Sequence, residues 1–130
     1  MGSSSLVLVV DDNIDAADMT AEVLRMHGID VVVAYGGFEA LEMAKKLMPS
    51  AIVLDVGMPL MDGCAVAAAL RREAAFVEVK LVALTAWGDD ESRERTRLAG
   101  FDLHLTKPAP LASLVDAVRR PSLNLGLAAV

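Results

Sequence analysis

The sequence predicts an α/β fold: five parallel strands form one doubly wound sheet covered by helices on both faces, a three-layer sandwich. Short apolar runs rich in β-branched residues recur along the chain, and stretches with helical spacing of apolar residues separate them. Parallel strands need crossovers of about a dozen or more residues, which these stretches provide. A chain of 130 residues with 55% hydrophobic composition is also long enough to bury one substantial core.

The five apolar runs are too short for helices, and their β-branched content favours strands that are buried on both faces. We therefore predict strands over residues 6–10, 31–34, 51–54, 81–84 and 103–105.

Between these strands, apolar residues three and four positions apart predict helices with one buried face. The residues that define these faces are Ile14, Ala17, Ala21 and Leu24, then Phe38, Leu41, Met43 and Leu47, then Val66, Ala69 and Leu70, and finally Leu111, Leu114, Val115 and Val118. We also interpret the methionines as residues that fill gaps in the core, and His27 and Cys64 as structural.

The helix predicted from residue 89 differs from the others. Residues 89–97 are polar on nearly every side, which leaves Leu98 and Ala99 as the clear apolar contacts. One interpretation is a solvated helix held by ion pairs along its surface. The other is a loosely held element that shifts when a neighbouring site changes state.

Residues 6–120 are predicted to form the domain. We expect residues 1–5 to be a disordered or appended N-terminal segment, and residues 121–130, which begin with the helix-breaking Pro121, to be a C-terminal tail or the start of a linker. The N-terminal residues lack the features of a signal peptide, and no apolar stretch approaches the roughly 18 residues that span a bilayer.

The charge and cysteine content narrow the classes of partner and compartment. With 12 basic and 18 acidic residues, the net charge of −6 repels phosphate backbones and argues against nucleic acid as a direct partner. The single cysteine, Cys64, excludes an internal disulfide and favours a reducing compartment. We therefore expect a cytoplasmic location, either for a separate protein or for part of a larger sensor, without membrane insertion of this domain.

Polar residues stand at the carboxyl ends of four predicted strands. Asp11 and Asp12 follow the first strand, and Asp55 follows the third. Thr85 follows the fourth strand, and Lys107 lies close to the end of the fifth. A doubly wound sheet binds its ligands at this edge, so we expect the five side chains to converge. Three carboxylates repel one another, and one lysine does not balance them. The set therefore predicts a hard divalent cation with oxygen ligands, Mg²⁺ in the first place and Mn²⁺ as its substitute.

An alternative interpretation assigns these residues structural roles. Asp11 and Asp12 would only cap the helix that begins near Ile14, and Lys107 would pair with one carboxylate for stability. This interpretation does not explain why all the polar groups arrive at one edge of the sheet.

With these positions the chain resembles the receiver domain of response regulators in two-component signalling, over about residues 6–119. The segments that carry the resemblance are VVDDN at 9–13, LDVGMP at 54–59, MDG at 61–63, LTA at 84–86 and KP at 107–108. The resemblance implies a flavodoxin-like fold with strand order 2-1-3-4-5.

The resemblance also implies a function. Asp55 would accept a phosphoryl group from a histidine kinase or a histidine phosphotransfer domain, and Thr85 and Lys107 would bind the phosphoryl oxygens. Mg²⁺ would be held by Asp11, Asp12, Asp55 and the backbone carbonyl of Gly57. Phosphorylation would switch a surface for a downstream protein partner of unknown identity, and the domain would catalyse only its own phosphorylation and dephosphorylation.

Three positions qualify the resemblance. His104 stands where many receivers carry an aromatic switch residue, so it is either an edge residue without a signalling role or a pH-sensitive part of the output face. Gly57 leaves open a position that a larger side chain often covers, and Trp87 could supply that cover from the opposite rim. Residues 99–108 are similar to receivers at the carboxyl end of hybrid sensor kinases, which suggests such a parent protein.

Two other function classes compete with this interpretation. A phosphatase of the haloacid dehalogenase type forms an aspartyl phosphate, but it needs a second aspartate where this chain has Gly57. A degenerate receiver would act as a phosphorylation-independent scaffold, which the complete set of five residues argues against. Nucleotide binding is disfavoured because the sequence has no Walker or GxGxxG loop.

Overall fold

The structure is a computed structural model that describes residues 6–119. Five strands alternate with five helices, and one additional 3₁₀ turn covers Ala74–Phe76. The strands are β1 (Val7–Val10), β2 (Val31–Ala34), β3 (Ala51–Asp55), β4 (Lys80–Thr85) and β5 (Leu103–Thr106). The helices are α1 (Ile14–Arg25), α2 (Gly37–Leu47), α3 (Gly63–Arg71), α4 (Asp90–Ala99) and α5 (Leu111–Arg119).

All neighbouring strands pair in parallel, in the order β2-β1-β3-β4-β5. This confirms the predicted fold class and strand order. The central strands β1, β3 and β4 are buried along their whole length, as the short continuous apolar runs predicted. The 2-1-3 order brings β1 and β3 side by side, so that the loops after these two strands face each other at one edge of the sheet.

Two hydrophobic cores lie on the two faces of the sheet. Leu8 and Val10 of β1 belong to the core that includes buried residues of α2 and α3, whereas Val7 and Val9 belong to the core under α1 and α5. Successive side chains of a strand point to opposite faces, so each strand contributes to both cores. The sheet is thereby fixed between two helical layers.

Two polar side chains begin the helices next to the site. The Asn13 side chain caps α1 by accepting a hydrogen bond from Ala16 N at 3.0 Å. Asp62 caps α3 in the same way, at 2.9 Å from Ala65 N. Because Asn13 is the cap of α1, the interpretation that Asp11 and Asp12 serve only as its caps is wrong.

The spacing of apolar residues predicted the helices, but some side chains that were expected in the core are exposed to solvent. Ile14, Phe38, Met19 and Met26 are all more than half exposed, so the last two do not fill gaps in the core. Leu98 is 71% exposed and does not anchor α4. Among residues 90–99 only Thr96 is buried, and the surface carries a pair between Glu94 and Arg97.

Lys80 at the start of β4 is buried, and its Nζ donates to the carbonyl of Ala117 in α5 at 2.9 Å. Cys64 is partly buried against the α2 and α3 core, in keeping with a structural role. None of the helices within residues 6–119 combines the length and hydropathy needed to cross a bilayer.

Candidate functional site

Three carboxylates meet where β1 and β3 end. One ligand oxygen each from Asp11, Asp12 and Asp55 lies within 4.8 Å of the others. Asp11 and Asp55 are buried, whereas Asp12 is exposed at the mouth of the cluster. Buried charges of one sign are unfavourable unless a cation compensates them. The cluster therefore has the composition of a cation site that opens to solvent on one side.

Lys107 brings one positive charge to this cluster from the end of β5. Its Nζ lies 3.1 Å from Oδ1 of Asp55 and 3.5 Å from Oδ2 of Asp11. The Lys107 backbone amide donates to the carbonyl of Thr85 at 2.7 Å, which fixes the start of the loop after β5 against the end of β4. One ammonium group thus contacts two of the three carboxylates.

The electrostatics of the cluster are reflected in the pKa values of two of its members. Burial raises the pKa of Asp11 above its ordinary value and the charge of Asp55 adds to this, although the amide of Asn13 and the charge of Lys107 lower it. For Lys107, burial lowers the pKa, but the hydrogen bond to Asp55 and the charges of Asp55 and Asp11 outweigh that effect and raise it. The lysine is thus held protonated, while the carboxylates remain in excess over it.

The donor set fits a hard divalent cation such as Mg²⁺. Carboxylate and carbonyl oxygens are its preferred ligands, and a site of few protein ligands leaves positions for water and phosphate oxygens. Gly57 lies in the exposed loop after β3, and a side chain added at this residue would meet no atom within 4 Å. The loop therefore leaves the approach to Asp55 open from this direction.

Thr85 ends β4 in a buried position beside the cluster. Its Oγ1 accepts a hydrogen bond from the backbone amide of Trp87 at 3.1 Å. Asp55, Thr85 and Lys107 line a cavity of about 590 Å³, together with Trp87, Asp62 and Arg95. Four of the five convergent residues thus have a buried or partly buried position at one edge of the sheet, and Asp12 completes the set from the surface.

Trp87 and His104, two of the positions that qualify the resemblance, differ in their surroundings. Trp87 is 68% exposed and lines the same cavity as Gly57. His104 lies on the edge strand β5, partly exposed, and both of its ring nitrogens are hydrogen-bonded. The sequence did not reveal these bonds, and the one available signal was a threonine, Thr96, in a helix rich in charged residues.

A comparison with known protein families shows to which family the chain belongs. The family model described as the response regulator receiver domain matches residues 7–119. The chain belongs to this family. Receiver domains interact with histidine kinases or phosphotransfer proteins and with downstream effectors. They also bind Mg²⁺ at an acidic pocket, and in this chain the cluster of three aspartates lies at that position.

Individual proteins show the same similarity. The receiver domain is 41% identical over 117 residues to the transcriptional regulatory protein PrrA of Mycobacterium tuberculosis, a match that covers 90% of this chain and 49% of PrrA. The chain thus spans about half the length of this curated relative. Among solved structures, the chemotaxis protein CheY4 of Vibrio cholerae superposes with a TM-score of 0.85 at 29% identity, covering 92% of this chain and 99% of that one. The receiver domain of the Francisella response regulator 1452 superposes with a TM-score of 0.82 at 31% identity, and the match covers 88% of this chain and 93% of that one.

Proposed function

We propose that this receiver domain accepts a phosphoryl group on Asp55 from a phosphorylated histidine of a kinase or phosphotransfer domain. The observation that carries the proposal is the position of the Asp55 carboxylate, which is buried in the acidic cluster, in contact with Lys107 and open to the cavity. A carboxylate in contact with an adjacent cation is a competent nucleophile toward phosphorus.

The residues around Asp55 supply the groups that the phosphoryl transfer needs. An Asp55 carboxylate oxygen forms a bond to phosphorus while the bond from phosphorus to the donor nitrogen breaks, and that nitrogen retains the electron pair. Asp11, Asp12, Asp55 and the Gly57 carbonyl would hold Mg²⁺, which supplies neutralisation of the charge on the phosphoryl oxygens when bound. Lys107 stabilises the same charge, because its ammonium already contacts Asp55.

Thr85 responds to the new group. A phosphoryl group on Asp55 carries about two negative charges, in place of the single charge of the carboxylate, and three acceptor oxygens, and the Thr85 hydroxyl can donate to one of them by moving inward. The backbone amide of Trp87 is hydrogen-bonded to Thr85, and Trp87 lies in the loop that leads to α4. Among residues 90–99 only Thr96 is buried. The surface formed by α4, β5 and α5 is therefore the part proposed to change its affinity for a downstream partner.

The proposal limits the chemistry to self-phosphorylation and hydrolysis of the aspartyl phosphate, without turnover of a separate substrate. It places the domain in the cytoplasm, where kinases have access to ATP. The hybrid-kinase origin stays a prediction, because similar chains include the receiver domain of a histidine kinase from Syntrophus aciditrophicus as well as regulators such as PrrA.

Intact mass after incubation with acetyl phosphate and Mg²⁺ tests the proposal. The wild-type protein should gain the mass of one phosphoryl group, and Asp55→Asn should gain none. Asp62→Asn is the matched control, since Asp62 lines the same cavity outside the three-aspartate cluster and asparagine also caps helices well. A phosphorylation-independent scaffold predicts no mass gain in any variant, and an equal gain in Asp55→Asn would contradict the assignment of the acceptor.

A further inference from the structure

An apolar groove lies between α1 and α5 on one face of the domain. Its volume is about 520 Å³, and Met19, Thr20 and Val23 of α1 and Leu111 and Leu114 of α5 line it. Met19 and Leu111 are exposed although both side chains are apolar. Exposed apolar surface in a concave site favours a binding partner. The groove thus offers apolar surface that the described residues leave open to solvent.

The composition of the groove indicates which chemistry fits it. Asp11 and Lys107 line the end that borders the phosphoacceptor site, and Nζ of the lysine lies 3.5 Å from Oδ2 of the aspartate. The other lining residues are uncharged, and most of them are apolar. Burial of a charged side chain against such a lining is unfavourable. The groove therefore fits an uncharged segment with apolar side chains.

The chain itself contains such a segment. Residues 120–130 lie outside the part of the chain that the structure describes, and residues 121–130 carry no charged side chain. Leu123, Leu125 and Leu127 alternate with Asn124 and Gly126. This alternation is typical of an extended segment with one apolar side, and glycine and asparagine disfavour a helix. An extended conformation would place the three leucines on the same side.

The segment begins close to the groove. The guanidinium of Arg119, at the end of α5, donates to the carbonyl of His27, just beyond the end of α1. Val23 lies one helical turn, about 6 Å, from that end of α1. An extended chain spans about 3.3 Å per residue, so Leu123 can lie up to about 13 Å from Arg119. This length is sufficient for the chain to reverse direction and reach Val23.

The lengths of the segment and the groove also agree. Leu123 and Leu127 are about 13 Å apart in an extended chain. Ala16 and Val23, both of which line the groove from α1, are separated by a rise of about 10 Å. The connection through residues 120–122 is short, so the segment has a high effective concentration at the groove. The contacts of the leucines therefore have to offset only the ordering of a few residues.

We propose that residues 123–127 lie in the groove between α1 and α5, with Leu123, Leu125 and Leu127 directed toward its apolar lining. The segment then covers the face of the domain beside Asp11 and Lys107. The inference goes beyond the proposed function and does not depend on it, because docking needs neither Mg²⁺ nor a phosphoryl group. Any protein that contacts this face must displace the segment, whereas the cavity beside Asp55 remains accessible to small phosphoryl donors.

Methyl NMR spectra of the full 130-residue chain test the docking from the side of the segment. Leu125→Asp places a charge on the apolar side of the segment, and Asn124→Asp places the same charge on its other side. We expect the methyl resonances of Val23 and Leu114 to shift at least about threefold more with Leu125→Asp than with Asn124→Asp. In the wild-type protein, nuclear Overhauser effects should connect the methyl groups of Leu125 with those of Val23.

A pair of substitutions in the groove tests the same contact from the other side. Thr20→Glu introduces a charge into the lining, whereas Thr20→Val keeps the size of the side chain and makes it apolar. With Thr20→Glu the leucine methyl resonances of the segment should move to the positions found for a synthetic peptide of residues 120–130. With Thr20→Val they should stay at the wild-type positions. Because Leu125→Asp lies outside the described fold, it decides the question if Thr20→Glu fails to fold.

The outcomes distinguish the possible occupants. Wild-type leucine resonances identical to those of the peptide, or equal effects of Leu125→Asp and Asn124→Asp, overturn the proposal. Resonances that depend on protein concentration, with Overhauser effects between differently labelled copies, show that the segment of a second copy occupies the groove and also overturn it. Concentration-independent shifts confined to Leu125→Asp and Thr20→Glu support docking within one chain.

Binding of beryllofluoride with Mg²⁺, an analogue of the phosphoryl group, separates this inference from the proposed function. The variants at Asn124 and Leu125 should bind it within twofold of the wild-type protein, which shows that the site is intact. Absence of Mg²⁺-dependent binding in every protein, the wild type included, contradicts the proposed function, whereas the NMR result still decides the position of the segment.

Discussion

The Nζ atom of Lys107 lies 3.1 Å from Oδ1 of Asp55, so that the ends of β5 and β3 are joined across the end of β4. The lysine side chain is 36% exposed and that of Asp55 is 10% exposed. The ammonium group therefore lies beside the buried acceptor at the wall of the cavity, where it attracts an incoming anion but repels a cation.

Replacement of Lys107 by methionine should separate these two effects. We expect Lys107→Met to bind Mg²⁺ more tightly, because a competing positive charge is removed from two carboxylates, and to bind beryllofluoride at least about tenfold more weakly. Titration of each ligand measures the change. Lys45→Met removes a charge that pairs with Glu73 on the surface and should alter neither affinity. Changes of the same sign for both ligands would contradict this role.

Replacement of Asp11 by asparagine should stabilise the metal-free protein at about pH 7. The pKa of Asp11 is raised by folding, so its contribution to stability is present below its ordinary, unfolded pKa and is lost as the pH rises through the raised value. Removal of this charge should increase the free energy of unfolding by on the order of 1 kcal/mol in the presence of EDTA. Urea unfolding of Asp11→Asn measures it, and exposed Asp30→Asn is the control.

Mg²⁺ should reverse the order of stability between the wild-type protein and Asp11→Asn. The ion stabilises the folded state by an amount that grows with its affinity, and the substitution weakens that affinity. Mg²⁺ affinity of the wild-type protein should fall on acidification through the raised pKa of Asp11, and thus at higher pH than for an ordinary carboxylate. A wild-type protein more stable than Asp11→Asn without metal would contradict the argument.

The sequence predicted the fold and the convergence of polar residues for a common physical reason. Strands buried on both faces leave continuous apolar runs, and the polar residue that follows each run lies at a known edge of a parallel sheet. The positions of Asp11, Asp55 and Thr85 followed from the strands alone. The roles of these residues in binding and transfer stay predictions until they are measured.

Contacts between distant side chains and backbone left no comparable signal. Lys80 precedes the predicted strand and bonds a carbonyl of α5, and His104 bonds α4 and the loop before it. Such bonds depend on the packed positions of elements and not on any spacing along the chain. Spacing also failed for Ile14 and Phe38, which lie in the first turns of α1 and α2, where part of the apolar stripe stays outside the contact with the sheet.

Trp87 should report occupation of the site and limit access to it. Its indole is 68% exposed and lines the cavity that contains Asp55. We expect its fluorescence to change with Mg²⁺ and beryllofluoride, and Trp87→Ala to lose the phosphoryl group about two to five times faster, since less apolar surface shields the cavity from water. Phe38→Ala, which removes another exposed aromatic side chain, should leave the lifetime unchanged. Equal rates of dephosphorylation in Trp87→Ala and wild type would exclude a shielding role.

Gly63 should tolerate no side chain because α3 begins in contact with the end of β3. A Cβ at this position would lie 2.6 Å from the carbonyl oxygen of Asp55 and 2.9 Å from Cα of Val56. We expect Gly63→Ala to lower the free energy of unfolding by about 1–3 kcal/mol and to weaken Mg²⁺ binding by displacing Asp55. Gly57→Ala, which meets no atom within 4 Å, should change stability by less than about 0.5 kcal/mol. Similar stabilities of the two variants, measured by urea unfolding, would contradict the contact.

Arg71 should be a major contributor to stability, although it lies outside the site. Its guanidinium donates to the carbonyls of Gly100, Phe76 and Val79 at 2.8–2.9 Å and to the Asp102 carboxylate at 2.9 Å. These bonds tie the end of α3 to the turn between α4 and β5.

Removal of the guanidinium leaves several partly buried acceptors without a donor, each at a cost of about 1 kcal/mol or more. We therefore expect Arg71→Ala to lower the free energy of unfolding by about 3 kcal/mol in urea titrations, and Arg71→Lys to recover only a fraction, since an ammonium group cannot reproduce the planar arrangement of donors. Arg72→Ala, an exposed neighbour, should cost less than about 0.5 kcal/mol. If the two alanine variants unfold at the same urea concentration, the network around Arg71 does not stabilise the fold, and its bonds are exchanged for bonds to water at no net cost.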